Sequence, residues 1–407
     1  MTNATPGPDT THALGHDAGP ARTPDRTDER DGFRLNRGPH AVFDGGEGRA
    51  VLARLGIALD GAHPPTKGAL GREDRVDPLP QGIGAVTSPF LGPVDKARLL
   101  AAVARINRLD PASVAHLTID EWLEQTLPER PREILRTLVR IGTYTVDSDL
   151  VSADVAVHQV QAAAPGVTYL HGGWRQLTDG LRAAAPGVTR LAGSAHGVAA
   201  DPDGPFVVTD HGTVRGGRVV VAAGSPEAVA ALLANGAPAS WSVLGPAARA
   251  SCLDLGLRRL PEIPSWFGVD RPHYLVAHAP NAHLAPEGMA LVHAMRNLHH
   301  DETTSPDELR ADLHALARRA GIADDDVVLE RYLHHMVVVS ALVTPAGGGL
   351  AGRPDVHDTG VDGVLVAGDW VGPTGWLADC SLASGEAAGA AAAREATTAH
   401  ARVGADR

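Results

Sequence analysis

The 407-residue sequence predicts an α/β fold, and two strand-to-helix junctions carry that prediction. In the first, the apolar run Val219 to Ala223 is followed by Gly224, Ser225 and Pro226. A serine oxygen accepts from the orphan N–H groups of a first helical turn, and proline suits the first helical position, whose N–H has no partner to lose. In the second, Val364, Leu365 and Val366 read as a buried strand, Gly368 and Asp369 end it, and a helix of Ala, Gly and Ser follows Asp379. Turns of this kind line cofactor crevices in doubly wound sheets.

Composition narrows the class. At 43% hydrophobic and 21% charged residues, the chain has apolar material for a large core and length for two domains. Its net charge of −12 repels phosphate backbones and anionic lipid, which argues against a nucleic-acid partner. Glu, Pro or Gly interrupts each apolar stretch before it reaches membrane-spanning length, so no stable membrane insertion is expected. Cys252 and Cys380 are too few for a disulfide framework and fit a reducing, cytoplasmic setting. Residues 1–28 lack hydrophobic periodicity and read as a disordered leader, with order beginning near Asp31.

Along the chain, Ala97 to Ile141 turns helical. Leu99, Leu100, Val103 and Ile106 are spaced as one face, and Thr118 with Glu121 forms a capping box ahead of Trp122 and Leu123. Gly172 and Gly173 precede Trp174, Leu177 and Leu181 at helical spacing, and Phe206 to Val208 reads as a short strand. His273 to His278 and Met289 to Met295 form a candidate hairpin, followed by a helix from Pro306 to Ala320.

The chemistry concentrates near the C-terminus. A glycine at position 368 lets ligand oxygens approach the backbone, a carboxylate at Asp369 accepts hydrogen bonds from sugar hydroxyls, and the helix start at Asp379 to Ser381 offers unpaired N–H groups to developing negative charge. The same pattern also serves as an ordinary strand-to-helix connection. Among the 20 histidines, the hairpin would bring His278 and His293 together, yet no H-E-x-x-H or comparable metal-ligand spacing is present and no metal is expected. No G-x-S-x-G elbow supports a serine hydrolase.

The stretches Gly363 to Gly372, Gly375 to Asp379 and Ser384-Gly385 resemble the C-terminal flavin-binding segment of the phytoene desaturase and flavin-containing amine oxidase superfamily. Asp31 to His40, Gly172 to Leu177 and Val219 to Ala223 match in the same order, so the resemblance runs from about Arg26 to Ala393. It implies an FAD/NAD(P)-binding, Rossmann-like domain built from 29–70, 160–236 and 351–400, interleaved with an α+β substrate domain of 71–159 and 237–350. Gly368 and Asp369 would meet the pyrophosphate and ribityl chain of FAD. Gly375, Trp376, Leu377 and Cys380 would border the ring, and Gly38 to His40 would face its other side. His40 is then either a proton-transfer group or a polar loop residue, and Cys380 reads as a small hydrophobe in place of the usual small residue.

The implied activity is hydride transfer between flavin and a small apolar organic substrate at a C–C or C–N bond; the resemblance implies a lysine near the flavin in many amine oxidases, and since neither Lys67 nor Lys96 is at a segment expected to meet the ring, the desaturase side is favoured. One departure counts against it. Superfamily members open with a strand, a G-x-G-x-x-G turn and a helix, and this chain enters the pattern after that unit; Gly45-Gly46-Glu47-Gly48 lacks a preceding strand and reads as a helix-starting loop. The expected Rossmann-like domain is therefore incomplete, with exposed strand edges where the unit would pair. The alternative reading is a truncated or degenerate, non-catalytic relative acting at most as an interaction module.

Overall fold

The computed structural model describes residues 27–73, 75–79 and 91–405, so the expected leader lies outside the described residues except at its end. There, Asp28–Arg30 already pairs with Phe33–Leu35 through a turn at Asp31 and Gly32. Both turn residues have positive φ, 49° and 79°, the requirement that makes Asp-Gly a strong hairpin signal.

A seven-stranded mixed sheet dominates the molecule. Its order is Val327–Val339, Ala248–Leu257, Ala290–Leu298, His273–Ala279, Ser265–Gly268, Ala69–Gly71 and Val76–Pro78. All neighbours are antiparallel except Ser265–Gly268 with Ala69–Gly71. The expected hairpin is its centre, pairing Val276 with His293. Alternation along Ala248–Leu257 sends Leu253, Leu255 and Leu257 to one face, where Leu313, Leu316 and Ala317 of the helix Pro306–Arg319 cover them. Cys252 goes to the other face, against Phe33, Leu35 and Tyr169. Both faces are therefore buried.

Three helices, Pro93–Ile106, Ile119–Thr126 and Glu129–Thr143, form the expected helical region, and a fourth beyond its expected end, Ala153–Ala163, packs with them around Trp122, Leu123, Leu135, Val139 and Val155. The capping box at Thr118 is complete: its hydroxyl accepts the Glu121 N–H and the Glu121 carboxylate accepts the Thr118 N–H. No helix among the described residues is long and apolar enough to cross a membrane.

The remaining layer holds the two junctions. Val219–Val221 pairs in parallel with Val364–Val366, and Ser225 caps Pro226–Leu232 by accepting the Ala228 N–H. Ala388 and Ala391 of the long helix Ala378–Ala405 are fully packed against this pair, a close approach that small side chains allow. The second edge of Val364–Val366 is closed by a loop: Val364 N–H donates to Val361 O, Val366 N–H to Val356 O, and the Thr359 hydroxyl to Val364 O. Val219–Val221 has Val364–Val366 as its sole strand partner among the described residues, and Val220 is 40% exposed. The open edge thus falls on one strand of the pair.

Gly71 shows how tightly the sheet is filled, because a Cβ there would overlap the indole of Trp266. Gly71→Ala is expected to destabilise the protein by about 1–3 kcal/mol, the range for overpacking a core, measured as a lowered urea midpoint at constant slope.

Candidate functional site

Six of the seven residues expected at a cofactor site fall on one continuous turn. Gly368 and Asp369 close the strand Val364–Val366, and Gly375, Trp376, Leu377 and Cys380 lead into the helix Ala378–Ala405. Gly375 has a φ of +77°, and a Cβ there would lie 2.8 Å from the Cys380 nitrogen, so only glycine lets this turn sit on the helix start. Leu377 is held in the left-handed region at φ +55°, a conformation that costs a branched residue energy and concentrates at functional sites.

Arg353 organises the turn from behind. Its buried guanidinium donates to Gly375 O at 2.9 Å and reaches Cys380 Sγ at 3.0 Å. Burial pushes the Cys380 thiol up to about 11, so it stays un-ionised at neutral pH. The Trp376 side chain points away into the helical core and donates to Thr143 O at 3.0 Å, leaving its backbone to the turn. Gly368 donates its N–H to Ser384 Oγ at 3.0 Å, and Asp369 accepts the Ser340 N–H at 2.8 Å while burial raises its carboxyl.

Gly38, the seventh residue, lies elsewhere on the chain with φ +81° and its α-carbon facing Met336 and Cys252. The loop carrying it is tied to the Gly172–Trp174 turn: Asn36 Oδ1 accepts the Trp174 N–H at 2.9 Å and the Thr27 hydroxyl at 3.1 Å. Two segments quoted for the resemblance are thereby held together. His40 contacts its own loop at Gly38 O, 2.9 Å away, and burial lowers its pKa.

Several long-range polar contacts were not readable from the sequence, although some of their residues were. Asp379 is buried and accepts the Gly48 N–H at 3.0 Å, so the loop Gly45 to Gly48 does start a helix, Glu47–Arg54, whose N-terminus takes its negative charge from within the chain. Its Oδ2 has no hydrogen-bond partner, and burial raises the carboxyl to about 6.

Asp254 is wholly buried on the large sheet, accepting from His293 Nδ1 at 2.6 Å and from Arg331 Nε at 2.8 Å. Burial alone would raise this carboxyl, but His293 and Arg331 together outweigh it and hold it below its ordinary value. An ionised carboxylate only accepts, so His293 carries its proton on Nδ1. The hairpin does bring His278 beside His293, ring centroids 4.6 Å apart, with Tyr169 stacked on His278 at 3.9 Å. Among the described residues, the group with metal-bridging spacing is Cys252, Asp254 and His293, without His278. Arg331 already occupies that carboxylate, which explains the group as a hydrogen-bonded ion cluster.

A cavity of about 260 Å³ opens between the helices Pro93–Ile106 and Glu129–Thr143 and the strand Val167–Leu170. Val103, Leu138 and Ile141 form its walls, and Tyr144, Tyr169 and Tyr274 are at one end. These are three of only four tyrosines in the chain, and that scarcity was a readable signal.

The fold is shared with solved structures of oxidoreductases, amine oxidases among them. The structure matches an oxidoreductase from Methanosarcina mazei over 88% of this chain and 89% of that one, with a TM-score of 0.68 and 13% identity. It matches a triple mutant of putrescine oxidase made to redesign cofactor binding over 91% and 90%, at 0.70 and 15%. Cyclohexylamine oxidase from Brevibacterium oxydans IH-35A matches over 90% of each chain, at 0.66 and 15%. No known family's sequence profile matches the chain, and no curated protein matches it.

Two outcomes follow from the buried carboxyls. Asp379 has a raised folded pKa, so its contribution is fully present below its unfolded value of about 3.8 and is lost as pH rises through about 6. Asp379→Asn keeps an acceptor for Gly48 and is expected to flatten the Tm profile between pH 4 and 7, gaining about 2 kcal/mol at pH 8. Asp254→Ala strands Arg331 and His293 and is expected to cost about 3–5 kcal/mol in urea denaturation.

Proposed function

We propose that the chain is an FAD-dependent oxidoreductase that transfers a hydride between the flavin and a small apolar organic substrate, at a carbon–carbon or carbon–nitrogen bond. The observation that carries this reading is the Gly368-to-Cys380 turn at the start of Ala378–Ala405, in a chain with the overall fold of amine oxidases. The motif resemblance assigns that turn to flavin.

The two ends of the site fit FAD unequally. Around the turn, Arg353 Nε and Asp379 Oδ2 are buried with no hydrogen-bond partner, but Arg353 lies behind the turn and Asp379 Oδ2 packs against Gly46, so contact with the ring falls to the backbone of the turn. At the pyrophosphate end the match is poorer, since the Gly368 N–H is already given to Ser384. Gly38, Gly368, Asp369, Gly375, Trp376, Leu377 and Cys380 would hold the cofactor, Trp376 through its backbone. Bound flavin supplies the two-electron chemistry. The chain's own part is positional: Gly375 and Leu377 shape the turn, Arg353 fixes it from below, and the tyrosine-ended cavity offers a mainly apolar space for substrate.

The internal satisfaction of Gly368 and Asp369 favours one other reading, a non-catalytic relative that serves as an interaction module. Visible spectra of the full chain, taken after incubation with FAD and removal of the excess, separate the two. Flavin bands that remain with the protein are the expected result, and Gly375→Val should remove them. A colourless wild-type protein overturns the flavin reading.

A further inference from the structure

The cavity beside the large sheet is selective in a way that its neighbours' names do not suggest. Its described walls are apolar: Val103, Leu135, Leu138, Val139 and Ile141. Polarity enters at one end, where Tyr144 and Tyr274 have ring centroids 6.2 Å apart and Tyr169 stands beside them, and through Asn107 and Gln159, whose Oε1 is buried without a partner. Burial raises all three phenols, so each is a neutral hydroxyl able to donate and to accept. Among the described residues, no Asp, Glu, Lys, Arg or His lines the cavity.

These features weigh differently on three kinds of guest. An ammonium ion would lose its hydration with no carboxylate to replace it; the faces of tyrosine rings and the single Gln159 Oε1 return only part of that loss. Tyr274 lies within hydrogen-bonding reach of Tyr144 and Tyr169, so two phenol protons are shared among the three, and a pure hydrocarbon gains from the apolar walls but offers no acceptor to the third. A molecule with an apolar body and one uncharged oxygen satisfies both.

We propose that the cavity takes an uncharged, mainly apolar molecule carrying one ketone or hydroxyl oxygen, with that oxygen against Tyr144, Tyr169 and Tyr274. This rests on the reading of the chain as an oxidoreductase with an apolar substrate, and it narrows that substrate to a class distinct from putrescine and cyclohexylamine. About 260 Å³ accommodates a fused bicyclic skeleton.

The test uses the full chain and three probes of one shape: decalin, 2-decalone and 2-aminodecalin, the last protonated at pH 7, with affinities from ligand-detected NMR. 2-Decalone is expected to bind about fivefold more tightly than decalin, the worth of one net hydrogen bond, and at least about tenfold more tightly than the ammonium probe. Tyr274→Phe and Tyr169→Phe should each reduce the ketone's advantage while decalin affinity stays constant, which also shows that the variants fold. Leu138→Trp, at a position 44% exposed on the cavity wall, should weaken all binding.

An amine that binds as tightly as the ketone overturns the inference, as does a ketone advantage that survives in both phenylalanine variants. Equal binding of decalin and decalone removes the oxygen preference and leaves the apolar-substrate reading standing. Failure of all three probes removes both.

Discussion

One guanidinium sets the relation between the large sheet and the N-terminal loop. Arg331 lies in the edge strand Val327–Val339 and is almost fully buried. It donates to Asp254 on the neighbouring strand, to Asp28 at 3.0 Å and to the carbonyl of Asn36. The Asn36 side chain then takes the Trp174 N–H, so one network links the sheet, the loop carrying Gly38 and the turn at Gly172. A planar fork with five donors can hold three partners at fixed angles, which a lysine ammonium cannot. Burying such charges costs desolvation that their attraction only partly returns, so the clearest effect of the network is to fix geometry.

What the sequence made legible was local. Ser225 with Pro226, and Thr118 with Glu121, announce helix starts because capping is decided within four residues. The strand Val364–Val366 and the hairpin centred on Val276 and His293 were readable from short apolar runs bounded by turn residues. Asp31-Gly32 was equally readable as a hairpin turn, although Thr, Pro and Asp in the preceding segment suggested that order began later.

The rest depended on partners far apart in the chain. Ala69–Gly71 joins the large sheet beside Ser265–Gly268, and Asp254 meets Arg331 from another strand. A three-residue strand has no periodicity to display, and a lone Asp inside an apolar run does not reveal its counter-ion. The tyrosines at the end of the cavity come from the end of a helix, a short strand and a central strand of the sheet, so no spacing rule links them. The candidate cofactor turn is the exception: its residues are contiguous, and its chemistry needs particular residue types at adjacent positions, which is why it was visible first.

The hydrogen bond from Gly48 to Asp379 spans 331 residues. During synthesis at ~5–20 residues per second, the helix that begins at Glu47 waits from roughly fifteen seconds to over a minute for that carboxylate to be made. Val219–Val221 likewise waits for Val364–Val366, and Ala69–Gly71 for Ser265–Gly268. Early segments therefore spend translation without the partners that bury them, and loop closure of this length slows their search once the chain is released. The route to this fold is thus governed by the order in which the partners are made as well as by the stability of the finished structure.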